Sequence, residues 1–193
     1  AVTCNWGYCN SVVNDQFGSV NKGKGAIYIP AEISKMYEGK QLSYVRVGLA
    51  AKAKTVKVFV TKDLNGEYIT TRTQRDQLSG FNEIKFAEPW TIDGEGFYIG
   101  YEFESDDYAL GSSTMYNENG CWADLGDGWK NYAVEDHALA LSIQAKISGD
   151  NLPKDYWLFC SNDILAEAGK PFNINFSIRN MGTAIGRRFQ VAY

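Results

Sequence analysis

The sequence is poor in the residues that hydrolytic active sites need. It has one histidine, His137, and no GxSxG motif, so a Ser or Cys nucleophile would lack an accompanying base. Glycoside hydrolysis requires two carboxyl groups about 5 to 9 Å apart across a cleft. The densest acidic run, EFESDDY at 102–108, instead places Glu102 and Glu104 on one solvated face of a strand. We therefore predict that the chain has no catalytic residues and is not an enzyme by itself.

Long apolar runs and clusters of basic residues are also missing. No run approaches the roughly 18 apolar residues of a membrane helix. The net charge is −4 and the Lys and Arg residues are scattered, which leaves no basic patch to neutralise phosphates. We thus expect neither a membrane span nor nucleic acid binding. The chain begins at Ala1 without a charged segment followed by an apolar core, which we interpret as a processed or trimmed mature end.

The four cysteines do not have the CxxC spacing of zinc sites. They are Cys4, Cys9, Cys121 and Cys160. An oxidising compartment fits this set better than a metal site, which favours a secreted or cell-surface protein. Three pairings are possible, and among them we predict a bridge between Cys9 and Cys121, which would tie the first strand to an aromatic loop. Buried free thiols are the open alternative.

Alternation of apolar and polar residues with a period of two dominates from Ala26 onward. The main strand candidates are YVRVGLA at 44–50, TVKVFVT at 55–61, YITTRTQ at 68–74, NEIKFAE at 82–88, FYIGYEFE at 97–104 and HALALSIQAKI at 137–147. An Asn65–Gly66 turn is expected to join the second and third of these as a hairpin. The only helical candidate covers 31–37. About eight strands at this spacing predict an all-β fold, a two-sheet β-sandwich over residues 1–148.

The pattern changes after the sandwich. SGDNLPKD at 148–155 is rich in turn residues and is typical of a linker. Three further strands are predicted, YWLFC at 156–160, FNINFSIRN at 172–180 and RRFQVAY at 187–193. Because so few strands cannot close a second sandwich, we interpret 149–193 as a linker followed by the truncated start of an immunoglobulin-like module.

The stretch GCWADLGDGWKNY at 120–132 concentrates aromatic rings, carboxylates and an amide in one segment rich in turns. Sugars are bound by aromatic faces that stack on their C–H surfaces and by polar groups that bond their hydroxyls. The predicted ligand-binding residues are Tyr116, Trp122, Asp124, Asp127, Trp129, Asn131 and Tyr132. The alternative is that the two tryptophans face inward and plug one end of the sandwich, because large aromatic side chains usually bury most of their area.

Calcium is the one metal that this region suggests. Calcium prefers six to eight oxygen ligands. The oxygen donors near the aromatic stretch are Asn117, Glu118, Asn119, Asp124 and Asp127. They do not follow a DxDxDG spacing, and Asp-Gly pairs are common in plain turns. We therefore predict no cofactor, with a calcium ion at these residues as the open alternative.

The order of motifs resembles a known family of modules. The motifs are WGYCN at 6–10, GAIYIPAEISKMYEGKQLSYVRVGLA at 25–50, VKVFVTKDLNGE at 56–67, GFNEIKFAEPWTIDGEGFYIGYEF at 80–103 and DGWKNY at 127–132. Together they resemble the jelly-roll modules of secreted Bacteroidetes proteins, including the cleaved-adhesin domains that accompany gingipain-type proteases. AGKPFNINFSIRNMGTA at 168–184 resembles the opening of the Ig-like modules that follow them.

This resemblance implies a galactose-binding-like jelly roll at the cell surface, and it carries no catalytic residue over to this chain. It leads to two hypotheses about function. The chain is expected to be an adhesion module that binds a glycan or glycoprotein. Alternatively, it is a structural or protein-interaction spacer within a larger secreted enzyme such as a cysteine protease. Further domains of the same polypeptide are expected in either case.

Overall fold

The computed structural model describes residues 1–135, 137–160, 167–173 and 176–181. Of these residues, 52% are in strands and 4% in helices, so the predicted all-β fold is confirmed. In the described ranges, no helix is long and apolar enough to cross a membrane.

The described residues form fifteen strands and one short helical segment. The strands are β1 Val2–Trp6, β2 Asp15–Gln16, β3 Lys22–Ile29, β4 Gln41–Leu49, β5 Ala53–Thr61, β6 Thr70–Gln77, β7 Gly80–Thr91, β8 Phe97–Glu104, β9 Gly111–Ser113, β10 Trp122–Asp124, β11 Trp129–Asn131, β12 Ala140–Leu141, β13 Ile143–Gly149, β14 Tyr156–Cys160 and β15 Phe176–Asn180. Between β3 and β4, the helix α1 (Ala31–Ser34) continues into a 3-10 turn over Lys35–Tyr37. The helical segment lies where the sequence predicted it.

Two antiparallel sheets form the sandwich. One has the strand order β1-β13-β4-β7, and the other has the order β11-β10-β3-β8-β5-β6. The strands of the two sheets alternate between them along the chain, apart from the β5–β6 hairpin and the short β10–β11 hairpin, which follows β8 in the same sheet. The first strand of the sandwich, β1, pairs with its last strand, β13. This crossing pattern is the jelly-roll arrangement. The predicted jelly-roll sandwich is therefore what the strand order shows.

The core lies between the two sheets and follows the alternation of the sequence. Val56, Val58 and Val60 are fully buried on the inner face of β5, and Val45 and Val47 are fully buried on β4. Burying side chains of this size stabilises a fold by about 1.5 to 3 kcal/mol each. The strands therefore present one apolar face to the core, as period-two patterning requires.

The predicted hairpin of β5 and β6 is confirmed, because the two strands pair antiparallel. In the loop between them, the backbone N–H of Gly66 donates to the carbonyl oxygen of Asp63 at 3.0 Å, which closes a turn around Asn65. The Thr61 hydroxyl holds the same loop, because it donates to the carbonyl oxygen of Asp63 at 2.7 Å. One local prediction was wrong: the last long strand is interrupted, because β12 ends at Leu141 and β13 begins at Ile143.

The segment after β13 forms a small hairpin that packs on the sandwich. Strands β14 and β15 pair antiparallel, with Leu158 opposite Ile178. They coincide with the predicted strand at 156–160 and with the second half of the one at 172–180. The predicted third strand, at 187–193, lies outside the described residues. The domain division at residue 148 and the Ig-like character of the second unit stay predictions.

Candidate functional site: the aromatic face

The outer face of the six-stranded sheet carries a group of aromatic side chains that the core does not include. We call this group the aromatic face. Its members are Tyr28, Phe59, Tyr68, Tyr98, Trp122 and Trp129. Phe59 is fully buried within it, beside the buried Ala26 and Leu64, whereas the tyrosines and tryptophans are partly buried. The aromatic face is thus a second apolar cluster on the solvent side of the sheet.

Strand register explains why these rings can meet. Trp122 pairs with Ala26, Ala26 pairs with Gly100, and Gly100 pairs with Phe59. The two small residues leave room on the outer face for the larger rings. A Cβ added at Gly100 would lie 2.8 Å from Cζ of Phe59, so this ring lies directly over the glycine. The small residues at the centre of the sheet therefore allow side chains from both edges to pack over them.

The rings contact one another in stacked and edge-to-face geometries, which are the preferred arrangements of aromatic pairs. Phe59 stacks on Tyr68 with centroids 4.2 Å apart and planes at 1°. Trp129 meets the same Phe59 ring edge-on at 6.2 Å and 80°. Tyr98 contacts Trp122 edge-on at 5.7 Å and 89°. Phe59 thereby joins the loop that carries Tyr68 to the β10–β11 hairpin.

A charged row borders the aromatic face on the same side of the sheet. Glu102 lies between two lysines, with its carboxylate oxygens 3.4 Å from Nζ of Lys24 and 3.8 Å from Nζ of Lys57. Nζ of Lys57 also lies 5.4 Å from the centroid of the Tyr68 ring. Burial raises the pKa of Tyr68, and the nearby Glu102 carboxylate raises it further. The row supplies both hydrogen-bond donors and acceptors beside the rings.

Both predicted tryptophans belong to the aromatic face, and neither lies in the main core. The alternative in which they plug the end of the sandwich is therefore wrong. The indole N–H of Trp122 is buried and has no hydrogen-bond acceptor in the part of the chain that the structure describes. Both rings are partly rather than fully exposed, because they pack on their aromatic neighbours.

The other predicted ligand residues have mixed positions. Asp124 Oδ1 accepts hydrogen bonds from the backbone N–H groups of Gly126 at 2.9 Å and Gly128 at 3.2 Å, so it organises the turn between β10 and β11. The exposed Asp127 pairs with Lys130, and this hydrogen bond lowers the pKa of Asp127. These two carboxylates lie at the tip of the hairpin that carries both tryptophans.

Asn131, Tyr132 and Tyr116 are not part of the aromatic face. The amide of Asn131 donates to the carbonyl oxygen of Glu118 at 3.0 Å, which ties the hairpin to the preceding loop. Tyr132 packs edge-on against Phe17 at 5.1 Å, beside the main core. Tyr116 is 36% exposed in the loop after β9. The predicted residues therefore do not form one site, because the two tryptophans belong to the aromatic face and these three residues lie outside it.

The calcium candidates do not converge in the structure. Asn117 Oδ1 accepts the backbone N–H of Asn119 at 2.9 Å, which is a local turn. Asp124 and Asp127 hold the turn and the ion pair already described. Within the described residues, no group of three or more His, Cys, Asp or Glu side chains is placed to hold a metal ion.

The predicted bridge between Cys9 and Cys121 is not formed. Cys4, Cys9 and Cys121 are all buried free thiols, and the Cys9 thiol donates to the carbonyl oxygen of Ile143 at 3.8 Å. Burial raises the pKa of Cys9 to about 11 and those of Cys4 and Cys121 to about 12. These cysteines are small core residues here, because a buried thiol in apolar surroundings stays protonated.

No residue of the aromatic face outside 120–132 was predicted from sequence. Phe59 and Tyr98 occupy outward positions of predicted strands, where polar residues are usual. That exception to the alternation was a usable signal.

His137 is exposed, and its backbone N–H donates to the carbonyl oxygen of Val134 at 3.1 Å.

A surface depression of about 300 Å³ lies elsewhere, at the start of β5 and the end of β6. Its lining residues are Lys52, Ala53, Lys54, Asp76, Gln77, Leu78 and Asp106. Lys54 and Asp106 form an exposed ion pair at 2.9 Å. No member of the aromatic face lines this depression, and it has no buried polar group that would orient a ligand. The aromatic face is therefore the stronger candidate site.

Comparisons of the chain with protein-family models, with curated proteins and with solved structures found no match. The resemblance to cleaved-adhesin domains therefore stays a prediction that rests on the sequence motifs alone.

Proposed function

We propose that the chain is a non-catalytic binding module, secreted or displayed at the cell surface, and that the aromatic face recognises a glycan or the glycan part of a glycoprotein. The observation that carries this proposal is the position of the two tryptophans. Trp122 and Trp129 lie on the solvent side of a sheet, beside Tyr68 and Tyr98, and not in the sandwich core. Aromatic rings in such a position are suited to stack on the C–H faces of a sugar.

The charged row supports the same function. Lys24 and Glu102 have side chains 37% and 29% exposed, so their polar atoms lie within reach of a ligand on the rings. Because Glu102 is paired with two lysines, the row offers both donors and acceptors without a large excess of either charge. This balance suits the hydroxyl groups of a neutral sugar better than a highly charged chain.

The competing function is a spacer or protein-interaction module. The packing of the rings on one another favours it, because Phe59 stacks on Tyr68 and also meets Trp129 edge-on. On this interpretation the aromatic face only covers the outer surface of the sheet. Removal of Tyr68, a partly buried loop residue, distinguishes the two functions, because it should weaken glycan binding only if the aromatic face is the binding site.

The test is affinity electrophoresis and a glycan array with the folded chain. We expect retardation by at least one neutral polysaccharide or binding of at least one array glycan. Tyr68→Ala and Trp129→Ala should weaken that binding by about fivefold or more, because stacked aromatic contacts contribute about 1 kcal/mol each beyond area burial. Tyr44→Ala is the matched control, since Tyr44 is a partly buried tyrosine on the other sheet. If the wild-type chain binds no glycan while folded, the glycan function is wrong and the spacer function is favoured.

A further inference from the structure

A buried carboxylate fastens the segment after β13 to the sandwich. Asp155 is 5% exposed and lies in the stretch predicted to be a linker. Its Oδ2 accepts hydrogen bonds from Nε1 of Trp6 at 3.0 Å and from the hydroxyl of Tyr37 at 2.9 Å. Its Oδ1 accepts a hydrogen bond from Nε1 of Trp157 at 2.8 Å. One side chain thus joins β1, the 3-10 turn and β14.

Aromatic packing surrounds this carboxylate. The Trp157 ring meets Trp6 edge-on at 5.4 Å and 86°, and it lies 5.6 Å from Tyr8. Trp6 and Tyr8 are fully buried. Because the Asp155 carboxylate is buried, the hydrogen bonds to it are stronger than they would be in water.

The second strand of the hairpin also contacts the sandwich. The backbone N–H of Met181 donates to the carbonyl oxygen of Asp155 at 2.7 Å, and the Met181 side chain is fully buried. Nη1 of Arg179 donates to the carbonyl oxygen of Gly7 at 3.2 Å. Both strands of the hairpin therefore contact the sandwich.

The chemistry of this contact selects a carboxylate. Two of the three partners of Asp155 are indole N–H groups, which can only donate, and the third is the Tyr37 hydroxyl in a donating geometry. An acceptor-only group satisfies all three. An asparagine amide would turn an NH₂ group toward at least one donor, so an isosteric change loses a hydrogen bond and leaves a buried donor without a partner.

We propose that Trp6, Tyr8 and Tyr37 form a docking surface whose partner is the Asp155-x-Trp157 segment of the same chain. This surface locks the β14–β15 hairpin to the sandwich, so that the two move as one body and the chain leaves the sandwich in a fixed direction. The lock gives the module a rigid joint. It does not depend on the glycan function, since it involves no residue of the aromatic face.

Hydrogen exchange measured by mass spectrometry on the whole chain tests this proposal. In Asp155→Asn, we expect amides of residues 156–160 to exchange about ten to a hundred times faster, because a buried hydrogen bond to a charged group is lost. Amides of β4 and β5 should keep their wild-type rates. Asp150→Asn is the matched control, since its side chain is 90% exposed, and it should change nothing. Equal protection of 156–160 in Asp155→Asn and wild type would overturn the proposal.

Two milder variants cover the case in which Asp155→Asn does not fold. Trp157→Phe keeps an aromatic ring but removes the N–H donor to Oδ1, and Tyr37→Phe removes the hydroxyl donor to Oδ2. Each should accelerate exchange at 156–160 by about tenfold with the sandwich intact. Trypsin cleavage after the exposed Lys154 should accelerate in parallel. If both variants keep wild-type exchange and cleavage rates, the lock does not exist.

Discussion

Gly100 lies beneath the rings of the aromatic face, and Gly100→Ala is expected to destabilise the fold strongly. A Cβ at this position would lie 2.2 Å from the carbonyl oxygen of Gly25 and 2.8 Å from Cβ of Ala26, besides its contact with Phe59. Gly100 is paired with strands on both sides, so the backbone oxygen cannot move without breaking the ladder between β3 and β8.

The size of the effect follows from this geometry. Overpacking costs about 1 to 3 kcal/mol. Because the added Cβ meets backbone that cannot move aside, we expect Gly100→Ala to lower the free energy of unfolding by about 3 kcal/mol. In a chain of this length each kcal/mol shifts the melting temperature by about 2 to 4 °C. We therefore expect a fall of about 6 to 12 °C in calorimetry, with a matching loss in urea unfolding.

Gly66→Ala is the matched control. Its added Cβ would come no closer than 3.2 Å to Cβ of Asp63, in a surface loop, so we expect a change of less than about 1 kcal/mol of either sign. If Gly100→Ala unfolds at the wild-type midpoint, the rings of the aromatic face do not pack on β3 and β8 as described.

Three further predictions concern the thiols, the core and the hairpin turn. Cys4, Cys9 and Cys121 should not react with a thiol reagent at pH 8 while the protein is folded. In guanidinium without reductant, at least three thiols should react, whereas a bridge between Cys9 and Cys121 would leave at most two reactive thiols. Burial raises the pKa values of these three thiols in the folded state from 9.0 to between about 11 and 12. The stability linked to this shift is fully present below pH 9 and is lost as the pH rises further, which urea unfolding at increasing pH should show. Trp6→Ala should cost about 3 to 5 kcal/mol in urea unfolding, since this ring is fully buried, and a cost below 1 kcal/mol would contradict its place in the core. Asp124→Ala should cost about 1 kcal/mol because two backbone N–H groups lose their acceptor, whereas Asp124→Asn, which keeps an acceptor oxygen, should cost much less; equal losses would refute the turn role.

The strands were predictable because their signal is local. Alternation in VKVFV is enough to place Val56, Val58 and Val60 on one face, and the structure buries all three. The β5–β6 hairpin was predictable for the same reason, because Asn65–Gly66 is a local turn signal, and the structure pairs the two strands antiparallel. Only the length of the connection was not predictable, since β5 ends at Thr61 and β6 begins at Thr70.

The aromatic face was only partly predictable because it depends on register. Trp129 and Phe59 are distant in sequence and meet only when β10, β3, β8 and β5 pair in a fixed register. The sequence indicated Trp122 and Trp129 from their density in one loop, but it marked Phe59 only as an exception to the alternation and had no signal for Tyr68. Asp155 was read as a linker residue for the same reason, since its partners Trp6 and Tyr37 are far away along the chain.

The solution behaviour of the five tryptophan indole N–H groups tests the central claim most directly. In a ¹H–¹⁵N spectrum of the folded chain, titration with an oligosaccharide of the polysaccharide that retards it, or failing that with a mixture of neutral glucose- and galactose-based oligosaccharides, should shift the Nε1–H signals of Trp122 and Trp129. The signals of Trp6 and Trp157, which lie in the core and at the Asp155 lock, should stay fixed. If no indole signal moves at millimolar sugar, or only those of Trp6 and Trp157 move, the aromatic face is not a glycan-binding surface.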